Sequence, residues 1–186
     1  GAGDTGLNTG GMGAVSPLPF FDETLRTKVI QRVIEPTIIG LMEDNMPYKG
    51  FIFFGLMISD GDPYMIEYNC RLGDPETEVV VPRLQTDLVT LFQSMESQTL
   101  HTQQIQLDPR SAAAVVAVSG GYPGDYKKGM PIEGLDQPPL DDCLVFHSGT
   151  RMEKDEVVSH GGRVLVVTAM GENIREAAEL SNYMME

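Results

Sequence analysis

The order of apolar and polar positions divides the chain into readable segments. Leu25, Val29 and Val33 recur at fourfold spacing beside Ile30, Ile34, Ile38 and Leu41. That stripe predicts a core-facing helix from Asp22, its N-cap, to about Met42. Pro36 falls inside it and should kink or interrupt it. Phe51–Ile58 is an apolar run, Ser59-Asp-Gly-Asp62 has turn chemistry, and Pro63–Tyr68 resumes an extended pattern. Together they predict two antiparallel strands joined at Asp60-Gly61. Glu76–Val81 and Asp87–Met95 read as helical pieces divided at Pro82, and the polar stretch Glu96–Gln106 as a domain boundary. Beyond it, Ala112–Val118 reads as a buried strand, with Val145–His147 and Arg163–Thr168 as further strands. Gly120–Tyr126 is turn-rich, and Glu172–Met185 is an amphipathic helix opened by Asn173 or Glu172. The expected class is α+β (mixed α/β), with domains 1–105 and 106–186.

Alternation along Pro63–Arg71 puts Met65, Glu67, Asn69 and Arg71 on one face, and Tyr64, Ile66, Tyr68 and Cys70 on an apolar one. The polar row has two readings. One is the wet side of a half-exposed strand. The other is a magnesium–nucleotide site, since Mg²⁺ takes oxygen ligands and shares its shell with phosphates, while a guanidinium forks onto phosphate oxygens. After the row comes a glycine-led turn, then Pro75 at a possible helix start with Glu76 and Glu78 near its positive end.

Residues 1–13 contain six glycines set among Asp4, Asn8, Thr9 and Met12. Backbone amides approaching an anion would explain them, and so would a flexible tail. His147 reads as a hydrogen-bonded structural residue, Cys70 as a small core residue, and Arg83 as a surface cation. The formal charge of −14 and the lack of a basic stripe argue against nucleic-acid or anionic-membrane binding. No apolar run approaches the roughly 20 residues of a membrane span. Two cysteines give no disulfide framework, so a cytoplasmic protein is expected. A start at Gly1-Ala-Gly, with no methionine and no signal peptide, is expected of an excised piece.

Glu67-Tyr-Asn-Cys-Arg-Leu-Gly-Asp-Pro-Glu-Thr-Glu78 resembles the signature of the glycinamide ribonucleotide synthetase (phosphoribosylamine–glycine ligase) family of ATP-grasp enzymes. Asn8-Thr-Gly-Gly-Met-Gly-Ala14 resembles the same family's glycine-rich loop. There Leu7 stands where the pattern usually has Pro, and Ala2 where Asp is common. The segments Gly120–Tyr126, Phe146–Thr150 and Gly161–Leu165 resemble its C-terminal domain, so the likeness runs along essentially the whole chain.

What the resemblance implies is specific. The fold would be the C-terminal half of an ATP-grasp domain, an antiparallel sheet with flanking helices, plus a small C-terminal α/β domain. The reaction would join glycine to 5-phosphoribosylamine through glycyl phosphate, with ATP as co-substrate, in purine biosynthesis. Glu67 and Asn69 would bind Mg²⁺ or Mn²⁺, Arg71 and Gly73 would meet the nucleotide, and Arg71 and Asp74 would act in catalysis. Asp4, Asn8, Thr9, Gly10, Gly11, Met12 and Gly13 would approach the amine or glycine substrate. Many ATP-grasp enzymes carry a third acidic ligand on the preceding strand; Gly55 stands there instead. The family's chain has further N-terminal lobes that grip ATP, so this chain is expected to be inactive alone. Another ATP-grasp carboxylate–amine ligase and a non-catalytic nucleotide-binding module are the alternative readings.

Overall fold

The computed structural model describes residues 5–185; Asp4 therefore lies outside the described residues. The strands are β1 (Gly13–Ser16), β2 (Phe53–Ser59), β3 (Asp62–Asn69), β4 (Ser111–Val118), β5 (Cys143–His147), β6 (Thr150–Glu153), β7 (Glu156–Ser159) and β8 (Arg163–Gly171). The helices are α1 (Glu23–Val29), α2 (Glu35–Glu43), α3 (Thr77–Val80), α4 (Leu88–Glu96) and α5 (Ile174–Met184). They form two compact units. One comprises Gly1–Ser16, Asp74–Arg83 and Leu107–Glu186; the other comprises Pro17–Gly73 and Leu84–Gln106.

The first unit is organised on an antiparallel sheet of order β1-β4-β8-β5. Its apolar runs are continuous because both faces are covered. On one face Ala114 and Val116 pair with Thr168 and Val166, and with Ala112 and Met170 they enclose Val79 of α3. On the other, Ala113 pairs with Ala169 beneath α5, where the Ser181 hydroxyl donates to the Ala113 carbonyl at 2.8 Å. Small alanines on β4 let the helix backbone approach closely. Asn173 caps α5, its side chain accepting from the Glu176 amide at 3.1 Å.

Among the described residues, the compact units differ from a division at 105/106 by two early segments, 5–16 and 74–83, which pack with the C-terminal sheet. Strand pairing explains the first, since Gly13–Ser16 lies in register against Val115–Ala112. Arg83 explains the second, and corrects its reading as a surface cation. It is 8% exposed and donates to the Ser16 hydroxyl at 2.7 Å and twice to the Asp108 carbonyl at 3.0 and 3.2 Å.

In the second unit Asp22 caps α1 by accepting from the Leu25 amide at 2.8 Å. The helix passes through Pro36 without breaking, by way of a π-helical turn at Ile30–Ile34 in which the Glu35 amide reaches the Ile30 carbonyl. A wider turn absorbs the donor that proline lacks, but its extra residue rotates everything after it. Leu25, Val29 and Val33 are therefore buried, whereas Ile38, expected in the same stripe, is exposed. The hairpin β2–β3 turns at Asp60-Gly61, both at positive φ, as the sequence predicts. Lys28 and Arg32 tie it to the helix through Asp62, at 2.7 and 2.9 Å. The Lys28 ammonium, hydrogen-bonded to Asp62, holds that carboxyl below the usual carboxylate range.

Candidate functional site

The hairpin carries Glu67 and Asn69 on one face, but not by uninterrupted alternation. Gly55 pairs with Glu67 while Leu56 pairs with Met65, so Ile66 is an extra residue, a β-bulge. Bulges re-aim the side chains beyond them. Met65 consequently shares a face with Tyr68, and Tyr64 shares one with Glu67 and Asn69, the reverse of the expected grouping. On the Tyr68 side, that hydroxyl lies 3.2 Å from the Thr37 hydroxyl of α2. On the other, the Asn69 amide nitrogen donates to a Glu67 carboxylate oxygen at 3.0 Å. Gly55 has a steric reason: a Cβ there would stand 2.9 Å from Glu67 Cγ. The room that a third acid would need is taken by Glu67 itself.

The strand ends at Asn69, so alternation does not govern Cys70 or Arg71. Cys70 is exposed rather than a core residue, lying just past the end of the strand. Arg71 is exposed and folds back, donating to the Leu72 carbonyl at 2.8 Å. Gly73 is buried. Among the described residues no group of three or more His, Cys, Asp or Glu side chains forms a self-contained metal centre. One carboxylate and one amide oxygen suit a hard cation that completes its shell with phosphates and water.

The glycine-rich loop and Asp74 belong to the other unit, and there they meet. A Cβ on Gly11 would lie 2.5 Å from Pro75 Cδ and 3.1 Å from the Asp74 carbonyl; one on Gly13 would lie 2.7 Å from the Ala114 carbonyl. These glycines are needed for close approach to protein backbone and ring, not for a loose tail. Asn8, Thr9, Gly10 and Met12 are exposed beside them. Asp74 accepts from both terminal nitrogens of Arg163, at 3.1 and 3.0 Å. The same guanidinium donates to the Asp74 and Gly11 carbonyls at 2.9 and 3.2 Å. Tyr122 adds its hydroxyl, which accepts from the Gly10 amide at 3.0 Å. Neither Arg163 nor Tyr122 stands out in the sequence as a site residue; only their place in short glycine-bearing motifs hints at it.

Glu78 follows on α3. One of its carboxylate oxygens is buried without a hydrogen-bond partner among the described residues. Burial pushes this carboxyl up, the charges of Asp74 and Glu76 adding to the effect while Arg163 opposes it. His147 holds a hydrogen bond with the Thr150 hydroxyl at 3.0 Å, in keeping with a structural role.

The family model for the phosphoribosylglycinamide synthetase ATP-grasp (A) domain matches residues 1–77, and that for the C domain of the same synthetase matches residues 112–186. The chain belongs to the phosphoribosylglycinamide synthetase family. Among its relatives, the phosphoribosylamine–glycine ligase of Allochromatium vinosum is 47% identical over 180 residues, 96% of this chain and 42% of that protein. The Pseudomonas syringae ligase is 47% identical over 178 residues, 95% of this chain and 41% of that protein. The crystal structure of the Thermotoga maritima ligase superposes with a TM-score of 0.83 at 33% identity, over 98% of this chain and 44% of that one. The chain thus spans about 42% of the length of such relatives. The two matched models meet the two kinds of geometry described above: the first contains the Glu67–Asn69 hairpin, the second contains Arg163 and Tyr122.

Proposed function

We propose that this chain contributes to an ATP-dependent ligation of glycine to 5-phosphoribosylamine, giving glycinamide ribonucleotide, ADP and phosphate. The observation that carries the reading is the pair of oxygen donors, Glu67 and Asn69, held together at 3.0 Å on an open strand face in a chain of this family. A glycine carboxylate oxygen attacks the terminal phosphorus of ATP and ADP leaves, forming glycyl phosphate. The amine nitrogen then attacks the glycyl carbon, a proton leaves the nitrogen, and phosphate is expelled. Both steps ask for positioning and charge neutralisation more than for covalent help from the protein.

Glu67 and Asn69 would hold Mg²⁺ or Mn²⁺, which when bound offsets phosphate charge. Arg71, exposed at the strand's end, is the cation for the transferring phosphoryl group, with Gly73 keeping the backbone slim next to it. Asp74 is fixed by Arg163 and presents its carboxylate to the ammonium or amine of a substrate. The residues Asn8, Thr9, Gly10, Gly11, Met12 and Gly13 present backbone and short polar groups to glycine or the amine, and Asp4 precedes them in sequence. The two free cysteines and the absence of a long apolar helix among the described residues fit an enzyme of the reducing cytoplasm. The 186 residues by themselves are expected to lack turnover, because they span about 42% of the length of the ligases they match, and fewer contacts then remain to repay the roughly 4–15 kcal/mol of freedom lost when a nucleotide associates. An assay of ADP release by the full-length protein tests the reading. Release should require glycine and 5-phosphoribosylamine together; release with another carboxylate and amine would move it to a different ligase, and none with any pair would leave a binding module.

A further inference from the structure

We infer, on the ligase reading above, that Arg163 is a positioning residue: its guanidinium clamps the glycine-rich loop to the Asp74-Pro75 turn and so fixes the groups that meet the amine or glycine. Four donor contacts leave this one side chain, two to the Asp74 carboxylate, one to the Asp74 carbonyl and one to the Gly11 carbonyl, all between 2.9 and 3.2 Å. Nη1 and Nη2 grip the carboxylate side by side while Nη1 also meets the two carbonyls, a planar hold that a lysine ammonium does not reproduce. The loop lies directly on it. A Cβ on Gly10 would be 3.2 Å from both Arg163 Nε and Cζ, so a side chain there would press on the ion-paired group, which would have to give by a few tenths of an ångström.

The clamp is itself anchored. Arg163 opens β8, opposite Val118, and its carbonyl accepts from the Gly149 amide at 2.9 Å. Gly149 and Gly161 pass so closely that a Cβ on Gly149 would be 2.6 Å from Gly161 Cα. The next residue, Gly162, lies under the Tyr122 ring, where a Cβ would overlap the ring carbons. Tyr122 then reaches the Gly10 amide. Arg163 and Tyr122 thus hold consecutive residues of the loop, one through a carbonyl and one through an amide. Such double attachment, of a segment whose glycines otherwise permit many conformations, is what precise placement of substrate requires. Arg163 reaches the reacting atoms only through Asp74 and the loop.

The test uses the full-length protein with Arg163→Gln, Arg163→Lys and Tyr122→Phe. Hydrogen exchange reads the clamp without any assumption about activity. Exchange over residues 9–12 should speed up roughly tenfold or more in Arg163→Gln, while amides of Ala112–Val118 and Val164–Met170 keep their protection; Tyr122→Phe should loosen Gly10 alone. Steady-state kinetics read its consequence. The kcat/KM for glycine or the amine should fall roughly 10- to 100-fold in Arg163→Gln, as expected for misplacement near an ångström, with the KM for ATP unchanged and Arg163→Lys recovering little. Unchanged exchange over residues 9–12 would overturn the clamp. Faster exchange with unaltered kcat/KM would overturn its positioning role. A wild-type protein without glycine-dependent turnover would overturn the ligase reading instead, leaving exchange to judge the clamp.

Discussion

The sheet of the C-terminal unit and the hairpin of the other unit both carry large apolar side chains, yet they differ in what covers them. Val166 in β8 is 1% exposed, with Val79 of α3 against its face and α5 on the opposite side of the sheet. Met57 and Tyr64, paired on the outward face of β2 and β3, are 59% and 56% exposed. Glu67 and Asn69 stand on that same outward face. Hydrophobic side chains stabilise where a second layer removes them from water and do little where it does not. The comparison separates a scaffold, closed on both faces, from a surface kept open beside the oxygen donors. Residues of the open face should therefore be cheap to change for folding and costly for chemistry.

Core truncation breaks this comparison most severely. Val166→Ala removes two buried methyl groups, and should cost about 2 kcal/mol or somewhat more in chemical denaturation. Tyr64→Thr, which keeps a strand-favouring residue on the open face, should stay within about 0.5 kcal/mol. Equal losses would mean that the outward face of the hairpin is covered in solution. Next in size is Arg83→Met. It leaves the Asp108 carbonyl and the Ser16 hydroxyl without their buried donor, for about 1–3 kcal/mol, whereas Arg26→Met, on an exposed helix face, should cost next to nothing.

Glu78 gives the smallest effect, and one that depends on pH. Its carboxyl titrates above the ordinary 4.5 because burial opposes its charge. The folded state therefore holds its proton more tightly than the unfolded chain does. The stability this contributes is complete below 4.5 and is lost as pH rises through the higher folded value. Glu78→Gln should accordingly raise the melting temperature by a degree or two, on the order of the gain from removing one poorly solvated charge, at neutral pH but not in acid. A gain of equal size at both ends of the pH range would show that charge is not its cause.

Much of this division was legible in the sequence. The hairpin, its Asp60-Gly61 turn, the caps at Asp22 and Asn173, and the buried strand at Ala112–Val118 all follow from local pattern. What escaped was set by partners far along the chain. Arg83 reads as exposed until Ser16 and Asp108 close on it. Strand β1 is hidden by glycines whose need appears only against the Ala114 carbonyl and Pro75. The hairpin β6–β7 has four residues a side and little alternation, turning on Lys154-Asp155 at positive φ. The bulge at Ile66 reversed which of Met65 and Tyr64 shares a face with Glu67, since one extra residue changes strand parity without leaving a mark in composition. In the candidate site, the shared face of Glu67 and Asn69 was readable because they lie two residues apart on one strand; the contacts of Arg163 were not, its acceptors lying 89 and 152 residues away.

On the proposed reading, the open hairpin face serves a metal-bound nucleotide rather than folding. Turnover of the full-length protein with Glu67→Gln, measured across a magnesium series beside its melting temperature, decides between the two. The expected result is a strong fall in glycine-dependent ADP release, partly relieved at high magnesium, with a melting temperature within about 2 °C of wild type, as an exposed substitution allows. Wild-type turnover at limiting magnesium, or a collapse in stability that accounts for the lost activity, would contradict it.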